Sequence, residues 1–300
     1  MLKVAWSPIY NHPLPEGHRF PMEKYDLLPR QLLHEGIITE EHIFQPRKLT
    51  DQEILAVHTE SYWTKLQNLD FTRQEERRSG FPITSGLVDR EITINAGTIQ
   101  CAEFALKYGI AMNVAGGTHH AFTDRAEGFC LLNDIAIAAR YLLNNQKASQ
   151  VLVVDLDVHQ GNGTAEIFEN EPRVFTFSMH GEHNYPLQKE ASDLDVPLKD
   201  GTDDETYLRL LSYHLPKLLD QVQPDFIFFQ SGVDVLSSDK LGRLGMTIEG
   251  CKQRDRMVIA SAKEREIPIV ASMGGGYSPE IKDILEAHAN TYRVATEVFF

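Results

Sequence analysis

A chain of 300 residues, 42% of them hydrophobic, is long enough to bury a sizeable core. Its 43 acidic and 29 basic residues give a formal net charge of -14, and no basic run is long enough for a phosphate-binding stripe, which argues against direct nucleic-acid binding. Three widely spaced cysteines fit reduced thiols better than a disulfide framework, and no stretch approaches the roughly 20 apolar residues of a membrane helix. These features predict a soluble, cytoplasmic protein without a membrane span.

The pattern of apolar residues predicts helices and strands along the whole chain. In the first hundred residues it indicates helices near 23–35, 52–68 and 91–107, and residues 71–95 are predicted to form a polar connection of low regularity. From there on, strands alternate with helices. The predicted strands are 109–115, 151–157, 173–179, 225–231 and 267–273. The predicted helices begin at Asn133, Asp203, Ile248 and Ser278.

This alternation predicts an α/β fold with a mostly parallel open sheet and helices on both faces. Runs such as VLVV and FIFF are apolar without alternation, which is typical of strands covered on both sides. No internal repeat and no Pro-, Gly- or Ser-rich linker divides the chain. We therefore expect residues 1–300 to form a single catalytic domain.

Polar clusters follow each of the five predicted strands. They read GGTHHAF, DLDVHQGNG, SMHGEHNYP, SGVD and MGGGY. In open parallel sheets, ligands bind outside the carboxyl ends of the strands, where the following loops gather. We expect the five loops to meet at one rim and to form a functional site there.

The motif DLDVH predicts a metal site. Asp155, Asp157 and His159 occupy alternate positions, so in an extended strand they would share one face. Buried carboxylates at that spacing repel each other unless a cation neutralises them, and mixed Asp and His ligands are typical of catalytic divalent sites. Asp234, at the end of another apolar run, is a further candidate ligand. The alternative for such an aspartate is a helix cap or a loop hydrogen-bond acceptor.

Two further clusters, GGTHHAF and MGGGY, suggest proton transfer and oxyanion stabilisation. His119 and His120 follow two glycines, and paired imidazoles can divide proton transfer and electrostatic stabilisation between them. Tyr277 follows three glycines and can direct its hydroxyl toward a developing oxyanion. Taken alone, the histidine pair is better explained by a solvent-facing loop, and MGGGY is also consistent with a simple turn. Their expected position at one rim favours the catalytic interpretation.

In chain order, the motifs GGTHHAF, GFCLLND, VVDLDVHQGNG, FSMH, GVD and GGGY resemble the zinc-dependent histone deacetylase family, and the resemblance spans nearly the whole chain. The segments GTDDETYL, SSDKLGRLGMT and HQGNG are most similar to class IV and bacterial deacetylase-like members. The resemblance implies the arginase/deacetylase fold and hydrolysis of acyl-lysine amides. It also implies zinc, with Fe²⁺ as the alternative metal, bound by Asp157, His159 and Asp234.

The resemblance also assigns catalytic roles. It implies that His120 is the general base for the attacking water, that His119 is its electrostatic partner, and that Tyr277 polarises the scissile carbonyl. Asp155 is expected to hydrogen-bond His119, and Asn162 to orient His120. Some family members have aspartate in place of Asn162, so the amide is expected to leave His120 less charge-stabilised.

Further residues match the family's ion site and substrate tunnel. A structural potassium ion is implied, with ligands from the following residues: Asp155, Asp157, His159, Ser178 and Met179. The tunnel is expected to be lined by Gly117, Phe129, Leu241 and Gly276. Arg19 aligns with an arginine near an internal acetate channel, with an ordinary surface position as the alternative.

The substrate class stays open at this point. The resemblance implies acetyl-lysine or a longer fatty acyl-lysine in proteins or peptides, with an acetylpolyamine or another small acylated amine as the alternative. Leu241 stands where polyamine-selective members can carry a glutamate, which weakens the polyamine alternative. An arginase-like ureohydrolase needs two manganese ions and extra aspartates, whereas QGNG follows His159 here. A non-catalytic zinc-dependent acyl-lysine-binding protein would be expected to have lost a ligand, a histidine or the tyrosine. The sequence predicts no oligomeric state.

Overall fold

A computed structural model describes all 300 residues and contains one eight-stranded sheet in which every paired strand is parallel. The strands are β1 Lys3–Ala5, β2 Ile43–Phe44, β3 Ile110–Asn113, β4 Val151–Asp155, β5 Val174–Gly181, β6 Leu194–Leu198, β7 Phe226–Gln230 and β8 Ile269–Ser272. Their order across the sheet is β2-β1-β3-β8-β7-β4-β5-β6. The predicted α/β class with a parallel sheet is therefore confirmed.

Ten helices flank this sheet. They are α1 Lys24–His34, α2 Asp51–Leu55, α3 Glu60–Asn68, α4 Arg73–Ser79, α5 Ser85–Tyr108, α6 Asp134–Asn144, α7 Asn162–Phe168, α8 Asp204–Val222, α9 Ile248–Glu264 and α10 Ile281–Phe299. The long α5 packs on β1, β3 and β8 and carries α6 beside it, whereas α8, α9, α10 and α1 pack against one another in series. No helix has both the length and the apolar character needed to cross a membrane.

The central strands owe their position to their composition. Every residue of β4 (VLVVD) and of β7 (FIFFQ) is buried, because helices cover both faces of the middle of the sheet. These strands pair in register from Val151 with Phe226 to Asp155 with Gln230. Their carboxyl ends therefore stop at the same level, and the loops that follow them start side by side.

Local capping sets where several helices begin. The Asn133 side chain accepts a hydrogen bond from the Ala136 amide, and Asp203 and Thr247 cap α8 and α9 in the same way. The single helix predicted over 52–68 is wrong, since the chain forms α2 and α3 with a break between them. Thr59 causes the break: it is extended, and its hydroxyl caps the new helix at the Tyr62 amide.

The prediction that 71–95 is an irregular connection is also wrong. Residues of α4 and the first part of α5 occupy most of that range. Helix α4 (RQEERRS) has no apolar stripe, so hydrophobic periodicity could not reveal it. Its start is instead fixed by a capping box between Thr72 and Glu75.

Four short elements were not predicted at all: β1, β2, β6 and α7. Strand β2 has two residues and β1 has three, which is too short for an alternation signal. Strand β6 lies at the edge of the sheet and contains Pro197, a residue that lowers strand propensity but is tolerated at an edge. Helix α7 begins directly in the GNG segment, where the glycines predict a turn.

Candidate metal centre and active site

The loops after β3, β4, β7 and β8 meet at the carboxyl edge of the sheet, as expected. The strand β4 itself ends at Asp155, two residues before its predicted end. The chain then turns, with the Asp157 amide donating to Asp155 Oδ1 at 3.2 Å and the His159 amide donating to Asp157 Oδ1 at 3.0 Å. The three residues therefore come together through successive side-chain turns rather than through continued strand geometry.

Asp157, His159 and Asp234 form a buried cluster suited to a metal ion. One ligand atom from each lies within 4.8 Å of the others. His159 Nδ1 is 3.0 Å from Asp157 Oδ1 and 3.1 Å from Asp234 Oδ2, so one ring nitrogen faces two carboxylate oxygens. Two carboxylates and one imidazole nitrogen around a single point are a donor set that divalent zinc or iron binds.

Backbone amides hold the outer carboxylate oxygens of this cluster in place. The Val158 amide donates to Asp234 Oδ1 at 2.9 Å, and the Gly275 amide donates to Asp157 Oδ2 at 2.8 Å. A β-carbon at position 275 would lie 1.9 Å from Asp234 Oδ2, so only glycine allows this approach. The GGG segment thus supports the acidic pair.

The electrostatics of the cluster agree with a cation site. Burial and the Asp157 carboxylate together raise the pKa of Asp234 to about 7. Burial disfavours a charged His159, but the hydrogen bonds that its ring donates to Asp157 and Asp234 outweigh this effect and raise the pKa of the ring to about 10. Positive charge at this point is therefore strongly favoured, and a metal ion would supply it.

The two histidines lie beside the cluster and are held by different partners. His119 Nδ1 donates to Asp155 Oδ2 at 2.7 Å, and His120 Nδ1 donates to the Asn162 amide oxygen at 2.6 Å. The ring centroids of the histidines are 4.2 Å apart, and that of His120 is 5.9 Å from that of His159. Since an amide oxygen only accepts, the proton of a neutral His120 lies on Nδ1, and Nε2 is left free as a base.

The two rings differ in charge. Burial opposes charging of His119, but the carboxylates of Asp155 and Asp157 outweigh it and raise its pKa to about 9. Burial and the neighbouring charges of His119 and His159 hold the pKa of His120 well below its usual range. At neutral pH this arrangement pairs a cationic His119 with a neutral His120, which divides electrostatic and base functions between them.

A carboxylate lies one hydrogen bond beyond Asn162. The Asn162 side-chain amide donates to Glu127 Oε1 at 3.1 Å, and the Tyr185 hydroxyl donates to the same oxygen at 2.5 Å. Glu127 therefore fixes the amide with its oxygen toward His120. The sequence motifs predict only Asn162 at this place, and they do not reveal the Glu127 carboxylate that binds its side-chain amide.

Tyr277 lies above the cluster in a loop that an aspartate organises. The Asp239 carboxylate accepts hydrogen bonds from the amides of Tyr277 at 2.6 Å, Leu241 at 2.8 Å and Gly242 at 2.9 Å. The Tyr277 ring centroid is 6.4 Å from that of His159. Burial and the charges of Asp234 and Asp157 hold the pKa of Tyr277 well above its usual range, so its hydroxyl remains a hydrogen-bond donor.

These residues lie at the base of a cavity of about 370 Å³ that opens to solvent. Its lining includes His120, His159, Tyr277, Phe129 and Leu241. A second, inner cavity of about 30 Å³ continues past the metal cluster, and Gly117, Phe20, Tyr25 and Cys130 are among its lining residues. Gly274 and Gly275 also line this inner end, whereas Gly276 packs against Val233.

Phe129 has a strained backbone. Its φ of 67° lies in the left-handed region, which a bulky side chain adopts at a cost on the order of 1–3 kcal/mol. The Phe129 amide donates to the Ser79 carbonyl at 2.7 Å, which holds the ring in the cavity wall. Such local strain is typical of functional sites.

Lys24, and not Arg19, is the buried cation beside the candidate active site. Lys24 is fully buried and donates from Nζ to the Gly274 carbonyl at 3.2 Å, with Nζ 5.5 Å from the Tyr277 ring centroid. Arg19, expected beside an internal channel, is exposed at the mouth of the cavity over Phe129. The sequence gives no signal for Lys24, because a lysine in an amphipathic helix ordinarily faces solvent.

The residues assigned to potassium surround the end of β4. Asp155 and Ser178 are register partners in neighbouring strands, and Met179 follows Ser178. The backbone carbonyl oxygens of Asp157 and His159 accept no hydrogen bond within the chain although both residues are buried. Buried carbonyl oxygens without donors suit a monovalent cation.

Comparison with known proteins identifies the family. A sequence model of the histone deacetylase domain matches residues 18–292. Histone deacetylase 2 of Arabidopsis thaliana is 30% identical over 269 residues, which cover 87% of this chain and 70% of that protein. The chain belongs to the histone deacetylase family.

Other members of the histone deacetylase family match over similar lengths. An uncharacterised protein of Picosynechococcus is 45% identical over 296 residues, 99% of either chain, and histone deacetylase 1 of Homo sapiens is 30% identical over 88% of this chain and 58% of its own length. A crystal structure of an HDAC homologue complexed with SAHA covers 99% of this chain and 84% of its own, at a TM-score of 0.85 and 24% identity. An HDAC homologue from Aquifex aeolicus matches with a TM-score of 0.82. The two structures confirm the fold.

Proposed function

We propose that residues 1–300 form one catalytic domain, a metal-dependent deacetylase that hydrolyses the side-chain amide of N-ε-acetyl-lysine. One observation carries the proposal: the buried Asp157, His159 and Asp234 cluster lies beside a histidine pair and a tyrosine at the base of one cavity. Membership of the histone deacetylase family supports it. We assign the metal as Zn²⁺, with Fe²⁺ as the alternative, because both accept this mixed oxygen and nitrogen donor set.

A divalent ion in this cluster would supply Lewis-acid polarisation of the amide carbonyl and of the attacking water. The protein's own groups supply the rest. His120 Nε2 accepts the proton of the water, and the Tyr277 hydroxyl donates a hydrogen bond to the oxygen that becomes negative. Cationic His119, held by Asp155, stabilises that developing charge. The water oxygen bonds to the carbonyl carbon. A protonated histidine then delivers a proton to the leaving nitrogen as the C–N bond breaks, which yields a free amine and a carboxylate.

The inner cavity favours a short acyl group. Its volume of about 30 Å³ is enough for one or two groups of the size of a water molecule or a methyl group. Two aromatic rings, those of Phe20 and Tyr25, bound it. An acetyl methyl group is compatible with this space, whereas an octanoyl or myristoyl chain would have to displace those rings. We therefore favour acetyl over the longer chains that the resemblance left open.

A structural potassium ion is part of the proposal. Three observations support it: Asp155 and Ser178 are register partners in neighbouring strands, and the buried carbonyl oxygens of Asp157 and of His159 accept no hydrogen bond within the chain. A monovalent cation here would reduce the repulsion between Asp155 and Asp157 and hold the loop that carries the metal ligands.

The test measures release of the free amine from a lysine peptide series that carries acetyl, octanoyl and myristoyl groups, with acetylputrescine as the polyamine substrate. We expect the wild-type protein to hydrolyse the acetyl peptide fastest and to lose activity after chelation and after Tyr277→Phe. Loss of one preorganised oxyanion donor should reduce kcat by about 100-fold or more. Tyr213→Phe, at an exposed tyrosine on α8 that does not line the cavity, is the matched control.

Two outcomes contradict the proposal. Undiminished turnover in Tyr277→Phe or after complete metal removal would exclude the mechanism. No turnover of any substrate by folded, metal-loaded protein, combined with measurable binding of the acetyl peptide, would favour a non-catalytic acyl-lysine-binding protein instead.

A further inference from the structure

Three arginines surround the mouth of the cavity. Arg19, Arg77 and Arg78 line it together with Tyr185 and Leu241, and no aspartate or glutamate contributes to its lining. The chain carries a formal net charge of -14, so this cluster of positive charge is opposite in sign to the net charge of the protein. Substrate must pass these guanidinium groups to reach His120 and Tyr277.

These arginines have no acidic partners in the fold. Most arginines of the chain form an ion pair with a carboxylate. The ones that do not are Arg19, Arg73, Arg77, Arg78 and Arg209. Three of them are the arginines at the mouth. Glu127, which bonds to the rim residue Tyr185, is already engaged by Asn162, Tyr185 and Arg125.

The backbone holds the three guanidinium groups near the wall of the cavity. Arg77 and Arg78 lie in the last turn of α4, and the Arg78 carbonyl accepts a hydrogen bond from the Gly128 amide at 3.1 Å. The Arg19 guanidinium lies 4.9 Å from the ring centroid of Phe129. The cations are therefore attached to the wall itself, next to where the substrate backbone would emerge.

We propose that these arginines select substrates that carry an anionic group, most simply a carboxylate, close to the acylated amine. The inference rests on the proposed deacetylase function and names its substrate class. A guanidinium group binds a carboxylate through paired N–H donors, and a cleft lined by one sign of charge attracts ligands of the opposite sign. The carboxylate has two sources: acidic side chains that flank an acetyl-lysine in a peptide, or the free carboxylate of a small N-acyl amino acid. A polycationic polyamine is disfavoured.

The test compares kcat/KM for acetyl-lysine peptides whose flanking residues are aspartate, asparagine or lysine. A second arm compares N-α-capped N-ε-acetyl-lysine as the free acid and as the amide, which separates the small-molecule source from the peptide source. We expect the aspartate peptide to exceed the asparagine peptide by roughly 10-fold, mainly through a lower KM, and this ratio to fall as salt is added.

Substitution of the three arginines tests whether the preference for the aspartate peptide arises at the mouth of the cavity. In the triple variant Arg19→Gln, Arg77→Gln, Arg78→Gln we expect the ratio of aspartate to asparagine peptide to approach one. The matched control Arg209→Gln, an unpaired arginine on α8 away from the cavity, should keep the wild-type ratio. Thermal melting checks that the exposed substitutions leave the fold intact.

The outcomes separate this inference from the proposed function. Equal kcat/KM for the aspartate and asparagine peptides together with equal kcat/KM for the free acid and the amide, or a preference for the lysine peptide, overturns the inference and leaves the deacetylase function standing. A ratio that survives in the triple variant overturns it as well. Absence of turnover for every substrate overturns the proposed function, and this inference with it.

Discussion

At the scale of single residues, Glu127 is the unexpected part of the candidate active site. An asparagine in place of an aspartate was expected to leave His120 with less charge stabilisation. The Glu127 carboxylate restores a negative charge one hydrogen bond further away and fixes the orientation of the Asn162 amide. Glu127 is therefore a positioning residue, which acts on His120 through Asn162.

We predict that Glu127→Gln lowers kcat for deacetylation by about 10-fold with little change in KM, since a weakened hydrogen-bond network commonly costs on the order of 1–2 kcal/mol. The glutamine amide can donate toward Asn162 and allows that side chain to flip away from His120. Steady-state kinetics measure the effect. Glu169→Gln, an exposed glutamate on the outside of the fold, is the control, and an unchanged kcat in Glu127→Gln would remove the positioning role.

A second residue-scale feature is His58, which is buried against Asn133 of the GFCLLND motif. Its Nδ1 is 2.9 Å from the Phe122 carbonyl oxygen, and its Nε2 accepts from the Asn133 amide at 3.1 Å. One ring nitrogen therefore donates a hydrogen bond and the other accepts one, which is possible only for the neutral imidazole. Burial lowers the pKa of His58 to about 4.

We predict that His58 makes the protein acid-labile. Between pH 6.5 and 4 the unfolded chain binds a proton at His58 that the folded protein does not, so stability is complete above pH 6.5 and is lost as the pH falls. The loss from this group amounts to about 2 kcal/mol between pH 7 and pH 5. Urea unfolding at the two pH values measures it. His58→Gln should show a smaller pH dependence than the exposed control His34→Gln, and equal dependence in both would contradict the assignment.

At the scale of elements, helix α9 holds together the two loops that carry the candidate metal ligands. Arg254 is fully buried and donates from Nη1 to the Leu156 carbonyl at 3.0 Å and to the Gly232 carbonyl at 2.6 Å. Those carbonyls belong to the loops that follow β4 and β7. Arg254 also pairs with Asp255, whose other oxygen accepts from Thr291.

We predict that Arg254→Met destabilises the protein by about 3–5 kcal/mol, because it leaves the Asp255 carboxylate buried without a counter-charge. The midpoint of urea unfolding measures the change. Arg256→Met is the matched control two residues away on the same helix. Its partner is the exposed Glu297, so its cost should be about 0–1 kcal/mol. Similar midpoints for the two variants would refute the special role of Arg254.

The elements also show what a sequence can and cannot predict. Strands β3, β4, β5, β7 and β8 were predicted because each is a long apolar run buried on both faces. Helix α4 was not, because its start depends on a capping box rather than on an apolar stripe. The candidate metal ligands and histidines could be predicted because their spacing is local. The hydrogen bonds of Glu127 and Lys24 join segments far apart in the chain, and no local pattern reports them.

At the scale of the whole molecule, the fold holds two carboxylates near each other inside a protein that is already strongly acidic. Burial and Asp157 raise the pKa of Asp234, which means that the folded state bears an electrostatic cost at this point. A bound cation removes that cost. Metal binding and stability of the whole fold are therefore linked.

We predict that zinc at about 100 times its dissociation constant raises the free energy of unfolding by about 2.7 kcal/mol, and Tm by on the order of 5 °C. Calorimetry with zinc and with chelator measures the difference. Asp234→Asn should abolish the zinc-dependent shift and stabilise the metal-free protein, because it removes one of the repelling carboxylates. The exposed control Asp220→Asn should keep the full shift, and an equal shift in both variants would place the stabilising ion elsewhere.

The strand order has a consequence for how the protein is made. Strand β8 inserts between β3 and β7, so a chain still on the ribosome and not yet synthesised to residue 269 carries two half-sheets, each with an open edge. Open strand edges can pair with other chains, so the nascent protein is exposed to aggregation until β8 is synthesised. Residues 157, 159 and 234 are all synthesised before this point, whereas Tyr277 comes after it. The candidate metal ligands are therefore translated before the tyrosine of the candidate active site.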